Sequence, residues 1–213
     1  ESIVGAFSNF GIDGLVHFAC NQEIEDDTGT LEYLEECARE AGMDSDLINM
    51  EDIGVDDLGR FTDLNKHNIT TLVKLYPWEW LMEEEFGAHI PTSGILFIEP
   101  PWKAILSNKG LLPLLWGMFE GHPNLLPSFF DDDPASDALV ESGDYVRKPL
   151  LSRQGANVEI FQRGNSLVKS EGPYGDGPVI FQAFDPLPEF EGRYPLVGCW
   201  MVASKAVGLC IRE

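Results

Sequence analysis

Basic residues are scarce: 14 Lys and Arg stand against 36 Asp and Glu among 213 residues, a formal net charge of -22 at pH 7. So negative a chain repels a duplex or polyphosphate over most of its surface, which argues against a nucleic-acid partner. Cysteine is scarce as well. Cys20, Cys37, Cys199 and Cys210 show no C-x-x-C spacing, and His17, His67, His89 and His122 show no i, i+4 pairing. Neither a zinc framework nor a disulfide framework is predicted from that. No apolar run reaches the roughly 18 residues that a bilayer span needs, and no basic segment leads into an apolar one at the start. The chain is therefore expected to be cytoplasmic, with no membrane partner. It begins with Glu1 and ends "CIRE" inside a strand-like pattern, which reads as a piece of something longer.

What is present is an α/β alternation. "GLVHFAC" (14–20) is a short buried-strand signal. "TLEYLEECAREAG" (30–42) then puts Leu31, Leu34, Cys37, Ala38 and Ala41 at helical spacing, with a threonine near its start and a glycine at its end. A further strand-like piece near "LINMEDIGV" completes an α/β unit. No G-x-G-x-x-G follows the first strand, so this is not a dinucleotide fingerprint. Asp26, Asp27, Glu32, Glu35 and Glu36 read as a solvated helix face and its entry. Further on, "ITTLVKLYPWEWLMEEEFG" changes from a β-branched run to a helix opening at Pro77, and "GILFIEPPW" is a strand closed by two prolines. "NKGLLPLLWGMF" follows as a helix. "PSFFDDDPASDALVESGD" (127–144) reads as an exposed, mobile, turn-rich connection.

Two stretches carry chemistry. In "EPPWKAILSNKGLLPLLWGMF", Lys103 and Lys109 sit among apolar residues. Their long stems can cover apolar surface with the heads in water, or one ammonium can be held over a bound anion. "YVRKPLLSRQGANVEIF" (145–161) is a strand ending in Lys148 and Pro149, a loop of small residues, and a second strand. Ser152, Gly155 and Ala156 let backbone N–H groups approach a phosphate, and Arg153 can fold over the same anion. Lys148 as a plain exposed strand end is the competing reading.

"IEPPWKAILSNKGLLPLLW", "HPNLLPSFF", "YVRKPLLSRQGANVEIF", "VIFQAF" and "GLCIRE", in this order, resemble the C-terminal ATP-grasp region of the glutathionylspermidine synthase family. "VHFAC", "EDDTGTLEYL" and "KLYPWEWL" are similar to its synthase-like branch. The resemblance covers about residues 15–213 and leaves 1–14 unassigned. It implies a mixed α/β fold, a partial ATP-grasp fold at 69–213 preceded by a small pre-ATP-grasp-like α/β unit at 1–68.

It also implies an ATP-dependent ligase that activates a peptide or similar carboxylate as an acyl phosphate for attack by an amine, a polyamine among the candidates. Lys109 and Lys148 would then meet over the nucleotide phosphates. Residues 152–157, which include Ser152, Gly155, Ala156 and Asn157, would form a lid that excludes water from the acyl phosphate. Gln182 and Ala183 would sit at the adenine edge, although Gln182 also reads as an ordinary polar residue at a strand end. Arg153 would act at the phosphate. Arg212, after the G-x-C-x-R pattern, would face the cleft and hold the carboxylate and then the oxyanion. Mg²⁺ is implied, but its ligands in the family lie N-terminal to this region, so no metal ligand is assigned here and amide formation is expected to need more than this chain. A nucleotide-binding module without catalysis and a structural or interaction domain stay open beside the ligase.

Overall fold

The computed structural model describes residues 2–175 and 177–212. They fall into two compact units: residues up to Ala104 together with those from Leu196 on, and Ile105–Pro195.

The first unit opens with helix α1 (Ser2–Asn9), strand β1 (Val16–Cys20), helix α2 (Glu25–Glu40) and strand β2 (Ser45–Asn49). A two-stranded ribbon of β3 (Gly54–Val55) and β4 (Phe61–Thr62) leads to β5 (Thr71–Leu75), α3 (Trp78–Glu83) and β6 (Leu96–Ile98). The four longer strands form one parallel sheet in the order β2-β1-β5-β6. Central β1 is buried at all five residues, as a parallel strand covered on both faces must be. Its alternation splits the core. Ala19 packs with Met50, Ile53, Phe61, Leu72, Trp78 and Phe97 on one face, while Val16, Phe18 and Cys20 pack with Phe7, Leu31 and Ala38 on the other.

Helix α2 starts five residues before the expected Thr30. Glu25, Asp26 and Asp27 occupy its first turn, where carboxylates are stabilised by the helix dipole. Thr30 does not cap the helix; its hydroxyl donates back to the Asp26 carbonyl at 2.9 Å. One acidic residue departs from the expected solvated face. Glu35 is buried and accepts from Arg39 Nη2 at 2.6 Å and from Ser45 Oγ at 2.9 Å.

The chain passes through α4 (Ala104–Ser107) into the second unit, with α5 (Leu111–Met118), β7 (Ser128–Phe130), α6 (Pro134–Ser142), β8 (Tyr145–Pro149), β9 (Glu159–Gln162), β10 (Asn165–Lys169) and β11 (Val179–Ala183). These strands form an antiparallel sheet in the order β10-β9-β8-β11-β7. Residues 127–144 are not a mobile connection: they supply both β7 and α6. The Asp133 carboxylate caps α6 by accepting from Ala135 N at 2.9 Å, Pro134 fills its first position, and Gly143 ends it in the left-handed region at φ 79°.

The compact units do not divide at the expected boundary of 68/69. Strand β5 hydrogen-bonds with β1, and β6 with β5, in one sheet, which keeps 69–104 in the first unit. The antiparallel hairpin of β12 (Leu196–Val202) and β13 (Lys205–Arg212) also belongs to the first unit and is exposed along nearly its whole length.

Candidate nucleotide-binding site

The register of the antiparallel sheet places three polar side chains in a row. Lys148 on β8 lies opposite Ile180 on β11, so Gln182, two residues along β11, is its diagonal neighbour on the same face. Ser128 on β7 lies opposite Gln182. Lys148 Nζ donates to Gln182 Oε1 at 2.5 Å, Gln182 Nε2 donates to Ser128 Oγ at 2.9 Å, and Ser128 Oγ donates to the Leu126 carbonyl at 2.9 Å. Gln182 and Ser128 are 8% and 1% exposed, so the lysine rests on a fully paired polar support.

Lys109 reaches the same end of β8 from the turn before α5. Its backbone N–H donates to the Leu150 carbonyl at 2.8 Å, and its Nζ donates to the carbonyl and the hydroxyl of Ser152 at 2.9 Å each. Gly110 is closely packed beside it. A Cβ there would stand 3.0 Å from Asn108 Oδ1 and 3.2 Å from Phe130. Burial, and then the Lys109 ammonium, lower the pKa of Lys148 below its ordinary value. Two ammonium groups sharing a partly desolvated place attract an anion whose charge offsets their repulsion.

The loop between β8 and β9 has a tethered end and an exposed tip. Gln154, Gly155 and Asn157 all have positive φ (51°, 76° and 55°). Asn157 Oδ1 accepts from Tyr174 N at 2.8 Å, Ser170 Oγ accepts from Val158 N at 3.0 Å, and Ala156 N–H donates to the Arg153 carbonyl at 2.9 Å. Arg153, Gln154 and Gly155 are exposed, and Ser152, Ala156 and Asn157 are half-buried. Ala183 closes β11 with its N–H already donated to the Pro127 carbonyl at 2.8 Å.

The structure thus brings Lys109, Lys148, Ser152 and Gln182 together. Both ends of the Gln182 amide are occupied, by Lys148 and by Ser128. Arg212 is at the exposed end of β13, opposite Leu196, in the first compact unit. Lys103 pairs with Glu99 at 2.7 Å, as suits a surface lysine.

Sequence reasoning passed over a crevice of about 380 Å³ in the first unit, lined by Asn21, Met50, Glu51, Tyr76, Glu84 and Glu85. It lies at the carboxyl ends of β1, β2 and β5, where open parallel sheets place their ligands. Tyr76 donates to Glu84 at 2.6 Å, and burial together with that carboxylate pushes its phenol up to about 12. The signal was the placement of Asn21, Met50 and Tyr76 just past three strand ends.

Structural comparison defines the class first. D-alanyl-alanine synthetase A of Vibrio cholerae matches with a TM-score of 0.55 at 13% identity, covering 92% of this chain and 65% of that one. The ATP-grasp ligase PsnB, solved with precursor peptide and AMPPNP, matches with a TM-score of 0.52 at 14% identity, covering 93% and 71%. The fold is that of the ATP-grasp ligases. The pattern described as "Glutathionylspermidine synthase preATP-grasp" matches residues 1–213, and the chain belongs to that family.

A Haemophilus influenzae protein named "Putative acid--amine ligase" is 39% identical over 92% of this chain and 51% of its own length. Trypanothione synthetase of Crithidia fasciculata is 28% identical over 98% and 35%, and the bifunctional glutathionylspermidine synthetase/amidase of Escherichia coli is 25% identical over 100% and 38%. The chain therefore spans from about a third to about half of the length of these relatives. Among the described residues no helix is long and apolar enough to cross a membrane.

Proposed function

We propose that this chain forms the phosphate-gripping part of an ATP-dependent carboxylate–amine ligase acting through an acyl phosphate. The observation that carries this reading is the Lys109–Lys148 pair: two cations from separate segments, one partly desolvated by burial and by its neighbour, both anchored on polar supports. A nucleotide's phosphates supply the negative charge that relieves both. Lys148 and Lys109 hold the phosphates, and the loop of Ser152, Gly155, Ala156 and Asn157 closes over them with Arg153, the Ala156 N–H exchanging its turn bond to the Arg153 carbonyl for a phosphate oxygen as the loop folds down. Gln182 positions Lys148, and the end of β11 at Ala183 borders the base.

In this reaction a carboxylate oxygen bonds to the γ-phosphorus and ADP leaves. The amine nitrogen then bonds to the acyl carbon, phosphate leaves, and the amine gives up a proton. Closing water out protects the acyl phosphate between the two steps. Arg212 would hold the carboxylate and then the oxyanion of the second step. Mg²⁺, when bound, neutralises charge across the β- and γ-phosphates. Among the described residues of the second unit no three His, Cys, Asp or Glu side chains converge as ligands for such an ion. The acid is a peptide or similar carboxylate and the amine is best matched by a polyamine, by analogy with the named relatives.

The test is a calorimetric titration of the chain with AMPPNP and Mg²⁺, beside its Lys148→Met and Lys109→Met variants. Saturable binding that weakens at least about tenfold in each variant is expected, a loss of about 1.4 kcal/mol. Binding of equal strength in all three proteins would overturn the assignment. Phosphate release that rises on adding an amine to the complete gene product separates a ligase from a nucleotide-binding module without turnover.

A further inference from the structure

In the first unit, His17, Asp46 and Asp63 bring one ligating atom each to within 4.8 Å of one another. Their placement follows from the sheet. His17 on β1 and Asp46 on β2 are register partners in a parallel pair, so their side chains leave the same face side by side. Asp63 arrives from the end of β4. A tight turn, with Asp63 N donating to the His67 carbonyl at 3.0 Å and Lys66 at φ 64°, turns its carboxylate toward them.

His17 is 1% exposed, yet neither ring nitrogen has a hydrogen-bond partner. A buried unpaired polar group costs about 1–3 kcal/mol and calls for an explanation. Its Nε2 lies 3.9 Å from Asp63 Oδ2, too far for a hydrogen bond. That separation is close to the edge of a metal coordination shell: ligands about 2.1 Å from one tetrahedral ion stand about 3.4 Å apart. Asp63 is already held as a ligating carboxylate usually is. Its Oδ1 accepts from His67 N at 2.8 Å, and His67 Nδ1 is 3.2 Å from its Oδ2.

We infer that His17, Asp46 and Asp63 bind a divalent transition-metal ion of the Zn²⁺ class that ties the 63–67 turn to strands β1 and β2. The donor set gives the class. One imidazole with two carboxylates suits Zn²⁺ or Mn²⁺, whereas Mg²⁺ and Ca²⁺ prefer oxygen alone. Two carboxylates balance the ion's charge. The donor set also sets this ion apart from the Mg²⁺ expected with the nucleotide, since an imidazole nitrogen is a poor ligand for an ion that prefers oxygen alone.

The test uses the chain carrying Cys199→Ser and Cys210→Ser, which removes the two exposed thiols that could bind zinc by themselves. After dialysis against a chelator it is titrated with ZnCl₂, MnCl₂ and MgCl₂, followed by calorimetry and melting temperature. One Zn²⁺ per chain, a raised melting temperature, and no response to an equal concentration of Mg²⁺ are expected. Asp46→Asn, at an exposed position, leaves the apo melting temperature in place and lowers Zn²⁺ affinity at least about tenfold. Asp63→Asn does the same for affinity, and Co²⁺ gives visible absorption without a thiolate band. Less than a tenth of an equivalent of Zn²⁺ taken up, or unchanged affinity in Asp46→Asn, would overturn the assignment.

Discussion

Lys148 and Gln182 meet across adjacent antiparallel strands, with the ammonium donating to the amide oxygen at 2.5 Å and the amide nitrogen donating onward to buried Ser128. The candidate site is therefore built on the sheet as much as on the loop, because three strands fix the height and direction of one cation. Gln182 cannot be replaced by an apolar residue without stranding both neighbours. Gln182→Leu is expected to destabilise the protein by about 2 kcal/mol, the scale of a buried polar group left unpaired. Gln182→Glu separates support from charge: its carboxylate keeps the contact with Lys148 and cancels the cation, while its second oxygen accepts from Ser128 Oγ once that hydroxyl turns from the Leu126 carbonyl. Urea midpoints near wild type with nucleotide binding weakened at least about tenfold are expected. Nucleotide affinity unchanged in Gln182→Glu would show that the charge of Lys148 is not used.

Lys148 also leaves a mark on pH dependence. Its pKa in the folded chain is below the ordinary 10.5, through burial first and Lys109 second. The folded state therefore releases the proton at lower pH than the unfolded state does. Between the two pKa values the unfolded chain binds more protons, so stability rises with pH across that window. Below it both states are protonated and the cost of burying the ammonium is fully present. Lys148→Met removes the titration. The gap between the urea midpoints of variant and wild type should shift in favour of wild type as pH rises from 7 toward 10, whereas parallel curves would mean that Lys148 is not desolvated.

Helix α6 depends on its two ends. Asp133→Ala removes the cap to Ala135 N, and a loss of about 1 kcal/mol is expected. Gly143→Ala is the harsher change. The residue has φ 79°, and a Cβ there would stand 2.6 Å from Gly164 N. A loss of about 1–3 kcal/mol in chemical denaturation is expected, the range for a residue held in a sparsely populated backbone region.

These helix ends bear on what was legible in the sequence. Parallel strands β1, β2, β5 and β6 announced themselves as apolar runs, and the basic loop 152–157 with Lys148 at its base was visible as a pattern. The span 127–144 was misread because its acidic and turn-forming residues outnumber its apolar ones. Asp133, Pro134 and Gly143 at cap, first-turn and C′ spacing are the helix signal within it. Glu35 looked solvated because its partner Ser45 lies ten residues away on β2, beyond any helical periodicity. The His17, Asp46 and Asp63 group has no sequence spacing to find, since its members come from two paired strands and a turn. The role of Gln182 as a support for Lys148 needed the strand register.

Arg212 is the residue for which exposure and the expected role pull apart. It ends β13 on the exposed hairpin, and an exposed side chain with no buried contact contributes within about 0.5 kcal/mol of nothing to folding. Arg212→Lys should therefore leave the urea midpoint of this chain unmoved. Catalysis makes a different demand. A guanidinium offers two parallel N–H groups to a carboxylate or to the oxyanion that replaces it, and keeps its charge at any working pH, whereas a lysine offers a single compact charge. By comparison with the loss of one oxyanion donor, about 3 kcal/mol of transition-state stabilisation is at stake, on the order of 10²-fold in turnover. In the complete gene product, Arg212→Lys is expected to keep nucleotide affinity and stability while amine-dependent phosphate release falls by that factor. Turnover close to wild type would return Arg212 to the surface and leave Lys109, Lys148 and the loop between β8 and β9 to carry the site.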